Sequence, residues 1–129
     1  MEENDNKKDN DIINDAADRQ TENPTLGVEM GYEVSLAIER EPSGAIYPDD
    51  FGVNLYIAQK GTENIDIARI DTDHSGCHID RLYLPTGHSQ RREDYGFQTA
   101  SPEGAVTYIT DDDRWRDWVR RYDENHGLP

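Results

Sequence analysis

The sequence predicts an α+β domain, built as a four-stranded antiparallel meander with a C-terminal helix, or helix pair, packed on one face. Three observations support this fold class. Apolar and polar residues alternate in the middle of the chain, short turn-forming segments separate the alternating stretches, and an apolar stripe with helical spacing follows near the C-terminus. Alternation with a period of two is typical of half-buried strands, and short connections favour antiparallel pairing.

Four segments carry the strand pattern. The first two share a Val-x-Leu-x-Ile sequence, and the last two are separated only by a short polar turn. Glycine, proline and clusters of polar residues stand between the segments, as expected at chain reversals. The predicted strands are residues 34–38, 53–57, 65–72 and 77–84.

A helix is predicted to begin at Ser101, with Ser in the N-cap position and Pro102 in the first turn. The acidic triplet at 111–113 leaves two arrangements open: one long helix with the triplet on its surface, or a second helix that the triplet caps. Gly127 is suited to end the helix. An apolar stripe at helical spacing then predicts the face that covers the sheet; it comprises Trp115, Trp118, Val119 and Tyr122.

Residues 1–26 are predicted to be a disordered acidic tail, and residues 27–129 a single domain. The tail holds eight acidic and three basic residues and few large aliphatic ones. Such a composition buries too little apolar surface to offset chain entropy.

The charge of the chain indicates its environment. Twenty-eight acidic residues face thirteen basic ones, the formal net charge is −15, and only three of the bases are lysines. A charge this high repels itself unless salt screens it, so the composition predicts a cytoplasm at molar salt; an ordinary acidic protein is the alternative. Attraction of the whole domain to nucleic acid is not expected.

The chain is also predicted to be cytoplasmic and to stay off membranes. Its longest apolar run is four residues, 55–58, far too short to cross a bilayer. The single cysteine, Cys77, excludes an internal disulfide and fits a reducing compartment.

The densest group of titratable residues lies on the predicted hairpin, between residues 69 and 81. A four-residue loop at 73–76 would place Asp71 opposite His78 and Arg69 opposite Asp80. A three-residue loop with a glycine bulge stays open and would change these pairs.

Three interpretations of this group compete. In the first, cross-strand salt bridges hold the register and nothing reacts. In the second, His78 oriented by Asp71 is a general acid or base, and Arg69 or Arg81 stabilises a phosphate, a set suited to RNA cleavage without a cofactor. Asp80 completes the catalytic candidates. In the third, a metal is bound by a set that comprises His74, Cys77, His78 and a nearby aspartate, although the spacing matches no known zinc signature.

Three stretches carry a resemblance: Ile-Ala-Arg-Ile-Asp-Thr-Asp-His at 67–74, His-Ile-Asp-Arg-Leu-Tyr at 78–83 and Arg-Tyr-Asp-Glu-Asn-His-Gly at 121–127. In these the chain resembles small haloarchaeal proteins of a domain-of-unknown-function family. That resemblance implies a halophilic protein and no particular activity. Arg-x-Asp followed by His and His-x-Asp is also similar to the toxin halves of some toxin–antitoxin pairs.

The function predicted from these observations is a non-catalytic interaction module. It would bind a protein partner through the polar hairpin tip and the tail, without a cofactor. The alternative is a toxin-like ribonuclease acting on RNA through the catalytic candidates of the hairpin.

Overall fold

The computed structural model describes residues 21–42, 44–45, 50–73, 76–95 and 101–129. Within these residues seven strands precede two helices. The strands are β1 (Thr21–Glu22), β2 (Thr25–Glu29), β3 (Tyr32–Glu41), β4 (Asp50–Ile57), β5 (Ile65–Asp73), β6 (Gly76–Asp80) and β7 (Arg92–Asp94), and the helices are α1 (Pro102–Thr110) and α2 (Arg114–His126).

All the strands pair antiparallel in one sheet. Their order across it is β1-β3-β4-β5-β6-β7, and β2 also pairs with β3. The predicted α+β class is therefore confirmed. The predicted meander corresponds to β3–β6, so the count of four strands was too low: β1, β2 and β7 extend the sheet.

The sheet begins inside the segment predicted as the tail. The backbone N–H of Leu36 donates to the carbonyl of Pro24 at 2.9 Å, and Leu26 packs against the core. Backbone pairing of this kind needs few apolar side chains, which is why composition alone does not indicate it. The boundary predicted at residue 27 falls within β2, while residues 1–20 lie outside the described part of the chain.

The last predicted strand is shorter than expected. β6 ends at Asp80, and a turn then buries Tyr83 and Leu84 against the core. The following segment, predicted as a polar loop over 86–100, contains β7, in which Arg92 pairs with Asp80. Residues 96–100 lie outside the described ranges.

One face of the sheet forms the core with both helices. The largest fully buried side chains there belong to the central strands and to the helices, and include Leu36, Leu55, Ile70, Ile109 and Val119. The predicted aromatic stripe faces this core: Trp115, Trp118 and Val119 are buried and Tyr122 packs partly against the same cluster. The prediction that α2 covers the sheet is confirmed.

The helix boundaries follow the predicted signals. The Oγ of Ser101 accepts a hydrogen bond from the N–H of Gly104 at 3.2 Å, so Ser101 caps α1. The acidic triplet forms a short 3-10 turn in which Asp112 and Asp113 have left-handed φ angles of 53° and 54°. Left-handed residues interrupt an α-helix, so the two-helix arrangement is the one observed. Gly127, with φ of 81°, ends α2.

Glu29 ties β2 to α2. Its two carboxylate oxygens accept hydrogen bonds from Nη1 of Arg116 at 3.0 Å and Nε of Arg120 at 2.9 Å. Arg116 also donates to the carbonyl of Val28. The Arg120 hydrogen bond, followed by that of Arg116, holds the pKa of Glu29 below its ordinary value of 4.5 in spite of desolvation.

Because the folded protein lowers the pKa of Glu29, this carboxylate should stabilise the fold above about pH 4.5 and lose its contribution as the pH falls through the lower folded pKa. Glu29→Gln should therefore be less stable than the parent at neutral pH, with the difference shrinking in acid. Urea unfolding at a series of pH values measures it, with the exposed Glu124→Gln as control for a lost charge on the protein. A difference that stays constant from pH 7 to pH 3 would contradict this assignment.

Candidate functional site

The face of the sheet opposite the helices carries polar side chains in two cross-strand rows. We call them the arginine row and the glycine row. The arginine row consists of Ala37, Asn54, Arg69, Asp80 and Arg92 on β3 to β7. The glycine row consists of Glu39, Gly52, Asp71, His78 and Asp94 on the same strands.

The register predicted for the hairpin is the one observed. Asp71 lies opposite His78, and Arg69 lies opposite Asp80. Pairing continues to Asp73 and Gly76, so the connection is shorter than the four-residue loop that was expected. Residues 74–75, at the hairpin tip, lie outside the described ranges, as does most of the tail that was predicted to be a contact surface.

The arginine row contains one predicted salt bridge, between Arg69 and Asp80, and a second that was not predicted, between Arg92 and Asp80. Asp80 is buried, and its two oxygens lie 3.9 Å from Nε of Arg69 and 3.4 Å from Nη1 of Arg92. Charges of alternating sign on three neighbouring strands stabilise this register. Asp80 is thus held between two guanidinium groups.

Arg81 does not join the other catalytic candidates. It follows the last residue of β6, so its side chain points to the opposite face, where it is ion-paired with Glu93 and donates to the carbonyl of Gln90. Glu93 lies opposite Ile79, a core residue. The structure therefore brings together Arg69, Asp71, His78 and Asp80 and places Arg81 elsewhere.

The metal candidates are also divided between the faces. Neighbouring strand residues point to opposite sides of a sheet, so Cys77 is buried in the core while His78 belongs to the glycine row. His74 lies outside the described residues. Within the described ranges, no group of three or more His, Cys, Asp or Glu side chains is spaced to hold a metal ion.

A cavity of about 510 Å³ opens on the polar face across β3, β4 and β5. Gly52 leaves a gap in the glycine row between Glu39 and Asp71, and Ala37 contributes only a methyl group beside it. The described lining residues include four acidic residues and two arginines. The lining residues that contribute charge are Glu39, Glu41, Asp50, Asp71, Arg40 and Arg69.

Several wall residues are held in place by hydrogen bonds. The Oγ1 of Thr72 donates to the carboxylate of Asp50 at 3.1 Å and accepts from the N–H of Phe51 at 3.0 Å. Nδ2 of Asn54 donates to Asp66 at 2.8 Å, whereas its Oδ1 is buried and has no hydrogen-bond partner in the described structure. At this wall, Thr72 and Asp66 of β5 therefore hydrogen-bond to residues of β4.

Arg40 is engaged on the far side of the cavity. Its guanidinium forms ion pairs with Glu22 of β1 at 2.7 Å and Glu103 of α1 at 2.6 Å, and it donates to the carbonyl of Ala45. Desolvation raises the pKa of Glu103, but the hydrogen bonds that it accepts, first from Arg40, bring that pKa below its ordinary value. Arg40 thus connects β1, β3 and α1.

Sequence reasoning found Asp71 and Arg69 but missed the rest of the cavity, including Glu39, Gly52 and Asp50. These residues are distant in the chain and meet only through the register of three strands. One signal was present: Gly52 adjoins a predicted strand, and a glycine within a strand often marks a close approach to a ligand.

The comparisons with known proteins identify a family. A family model described as "Domain of unknown function (DUF7718)" matches residues 28–128. No curated protein and no solved structure matches the chain. The match agrees with the predicted resemblance to a domain-of-unknown-function family, while the haloarchaeal origin and the toxin likeness stay predictions. Because the matched segment covers more than three quarters of its length, the chain belongs to the DUF7718 family.

Proposed function

We propose that the chain is a non-catalytic interaction module that binds its ligand in the cavity across β3, β4 and β5. The observation that carries the proposal is the cavity itself. Its volume of about 510 Å³ falls within the range of small-ligand sites, and its wall is built by three strands at the centre of the sheet. Sites on rigid strands hold their binding groups precisely.

The placement of the catalytic candidates supports a binding role. A general acid or base must reach the reacting group. Asp71 and Arg69 line the cavity, whereas His78 and Arg81 are not among its lining residues. Four carboxylates in the wall would also repel a phosphodiester.

The proposal is tested by a ligand screen observed by NMR, using a library of cationic, neutral and anionic fragments. Ligands should bind the parent and be lost in Gly52→Leu, whose side chain would fill the gap in the glycine row. Gly52→Ala is the matched control, because a Cβ there would meet the Cβ of Asp71 at 3.5 Å, an ordinary contact. Ala37→Leu fills the same cavity from β3 should Gly52→Leu not fold. If no fragment binds the parent in the cavity, the proposal fails.

The second candidate function is RNA cleavage, favoured by one observation. Asp71 lies directly opposite His78 at the edge of the cavity, the arrangement in which a carboxylate could orient an imidazole. Incubation with total RNA tests it, alongside His78→Ala and Asp71→Ala. We expect no cleavage by the parent. Cleavage that both folded variants lose would establish the ribonuclease in place of the binding module.

We also propose that the protein works at high salt in the cytoplasm, as its charge of −15 indicates. The Debye length falls from about 10 Å at 0.1 M salt to about 3 Å at 1 M. The carboxylates of Glu39, Glu41, Asp50 and Asp71 should therefore repel one another less in concentrated salt. The melting temperature should rise steadily with potassium chloride and less with an uncharged osmolyte of equal osmolality. An unchanged midpoint up to molar salt would contradict the proposal.

A further inference from the structure

We infer that the ligand of this cavity carries an organic cation, a guanidinium or an alkylammonium group, seated over Gly52 between the carboxylates of Glu39 and Asp71. The inference rests on the proposed function and adds the chemistry of the ligand.

The glycine row supplies the shape. Glu39, Gly52 and Asp71 lie side by side on three neighbouring strands. Neighbouring strands are about 4.8 Å apart, so the Cα atoms of the two acidic residues are separated by about 10 Å. Among the described residues, only the Cβ of Asp71, at 3.5 Å, lies within 4 Å of a Cβ placed on Gly52. This slot suits a planar guanidinium or a methylene chain, with Ala37 and the backbone of Gly52 beneath its apolar stem.

The charges of the lining residues indicate the sign of the ligand's charge. Acidic residues outnumber arginines by four to two among the lining residues that the structure describes. Arg40 is paired with Glu22 and Glu103, and Arg69 with Asp80. Two of the carboxylates accept hydrogen bonds from hydroxyl groups, Glu39 from Thr21 and Asp50 from Thr72, and these bonds leave their negative charge in place. A cation entering the cavity would therefore meet a net negative wall, whereas an anion would be repelled.

The spacing of the carboxylates favours an organic cation over a metal ion. They line one cavity, yet within the described residues they form no group spaced to hold a metal. An alkylammonium or guanidinium reaches several separate acceptors through its N–H donors.

The test is a calorimetric titration of the full chain with two probes, spermidine and a tri-arginine peptide, and with a tri-glutamate peptide for comparison. At least one cationic probe should bind with saturation, and the anionic peptide should not. Glu39→Gln and Asp71→Asn should each weaken binding about tenfold or more, since each removes a charge-assisted hydrogen bond. Asp117→Asn, exposed on α2, makes the same charge change away from the cavity and should leave the affinity unchanged.

The outcomes separate the ligand sources and the two proposals. Binding of spermidine alone supports a small polyamine, and binding of the peptide alone supports a basic protein segment. Equal weakening by Asp117→Asn and Glu39→Gln, or undiminished binding to Gly52→Leu, would show attraction to the acidic surface as a whole and overturn the inference. If neither cation binds while a neutral or anionic fragment occupies the cavity, the inference fails and the binding module stands. If nothing binds, both fail.

Discussion

Trp118→Ala should lower the free energy of unfolding by about 3–5 kcal/mol, the range for large aromatic residues removed from a core. Trp118 is only 3% exposed. Its ring stacks on Tyr83, with centroids 5.2 Å apart and planes at 17°, and lies tilted against Tyr108 at 6.0 Å. Alanine would leave a void between α2 and the turn after β6, where the Tyr83 ring would lose its stacking partner.

Urea unfolding of the parent and the variant measures this loss. Trp115→Ala is a companion variant: Trp115 is 4% exposed and its ring lies against Gly27 of β2. Glu124→Ala, exposed on the same helix, is the control and should change stability by less than about 0.5 kcal/mol. If both tryptophan variants unfold like the parent, α2 does not cover the sheet as described.

The sequence predicted the elements in which buried side chains must recur at a regular spacing along the chain. β3 and β4 must place every second side chain in the core, so alternation indicated them. The stripe of α2 was visible for the same reason at helical spacing. The hairpin register was predictable as well, because the pairing that sets Arg69 opposite Asp80 brings opposite charges together.

The short outer strands left no such signal. β1 has two residues and β7 has three, and their side chains are mostly polar or charged. Such strands join the sheet through backbone hydrogen bonds, for which every residue has a carbonyl acceptor and every residue except proline an N–H donor. The cavity was hidden for a related reason, since Glu39 and Gly52 meet only after β3 and β4 are paired in a particular register.

The segments that carry the family resemblance prove to be in contact. Nδ2 of Asn125 donates to the carbonyl of Tyr83 at 2.8 Å, and Nε2 of His126 lies 2.9 Å from the carbonyl of Leu84. The guanidinium of Arg121 lies 5.0 Å from the centre of the Tyr83 ring. These residues hold the end of α2 to the turn after β6. The pattern at 78–83 and 121–127 therefore has a structural explanation, whereas Arg69, Asp71 and Thr72 of the stretch at 67–74 line the cavity on the other face of the sheet.

A chain that lacks residues 1–26 should be less stable than one that lacks residues 1–20, by about 2–6 kcal/mol. The difference isolates residues 21–26. Their removal uncovers the core beside Leu26, worth about 1–2 kcal/mol, and leaves the N–H of the buried Leu36 without the Pro24 carbonyl, which costs about 1–3 kcal/mol. The ion pair between Glu22 and Arg40 is partly exposed and adds less than about 1 kcal/mol.

Urea unfolding of the two truncated chains and the full chain provides the measurement. Leu26→Ala and Glu22→Gln in the full chain separate the apolar contribution from the ionic one, and the first should account for the larger share. Arg40 keeps its ion pair with Glu103 in both truncations, so the link between β3 and α1 stays comparable. If the two truncated chains unfold at the same urea concentration, residues 21–26 add nothing to the stability of the sheet, and the domain begins at residue 27 as its composition predicted.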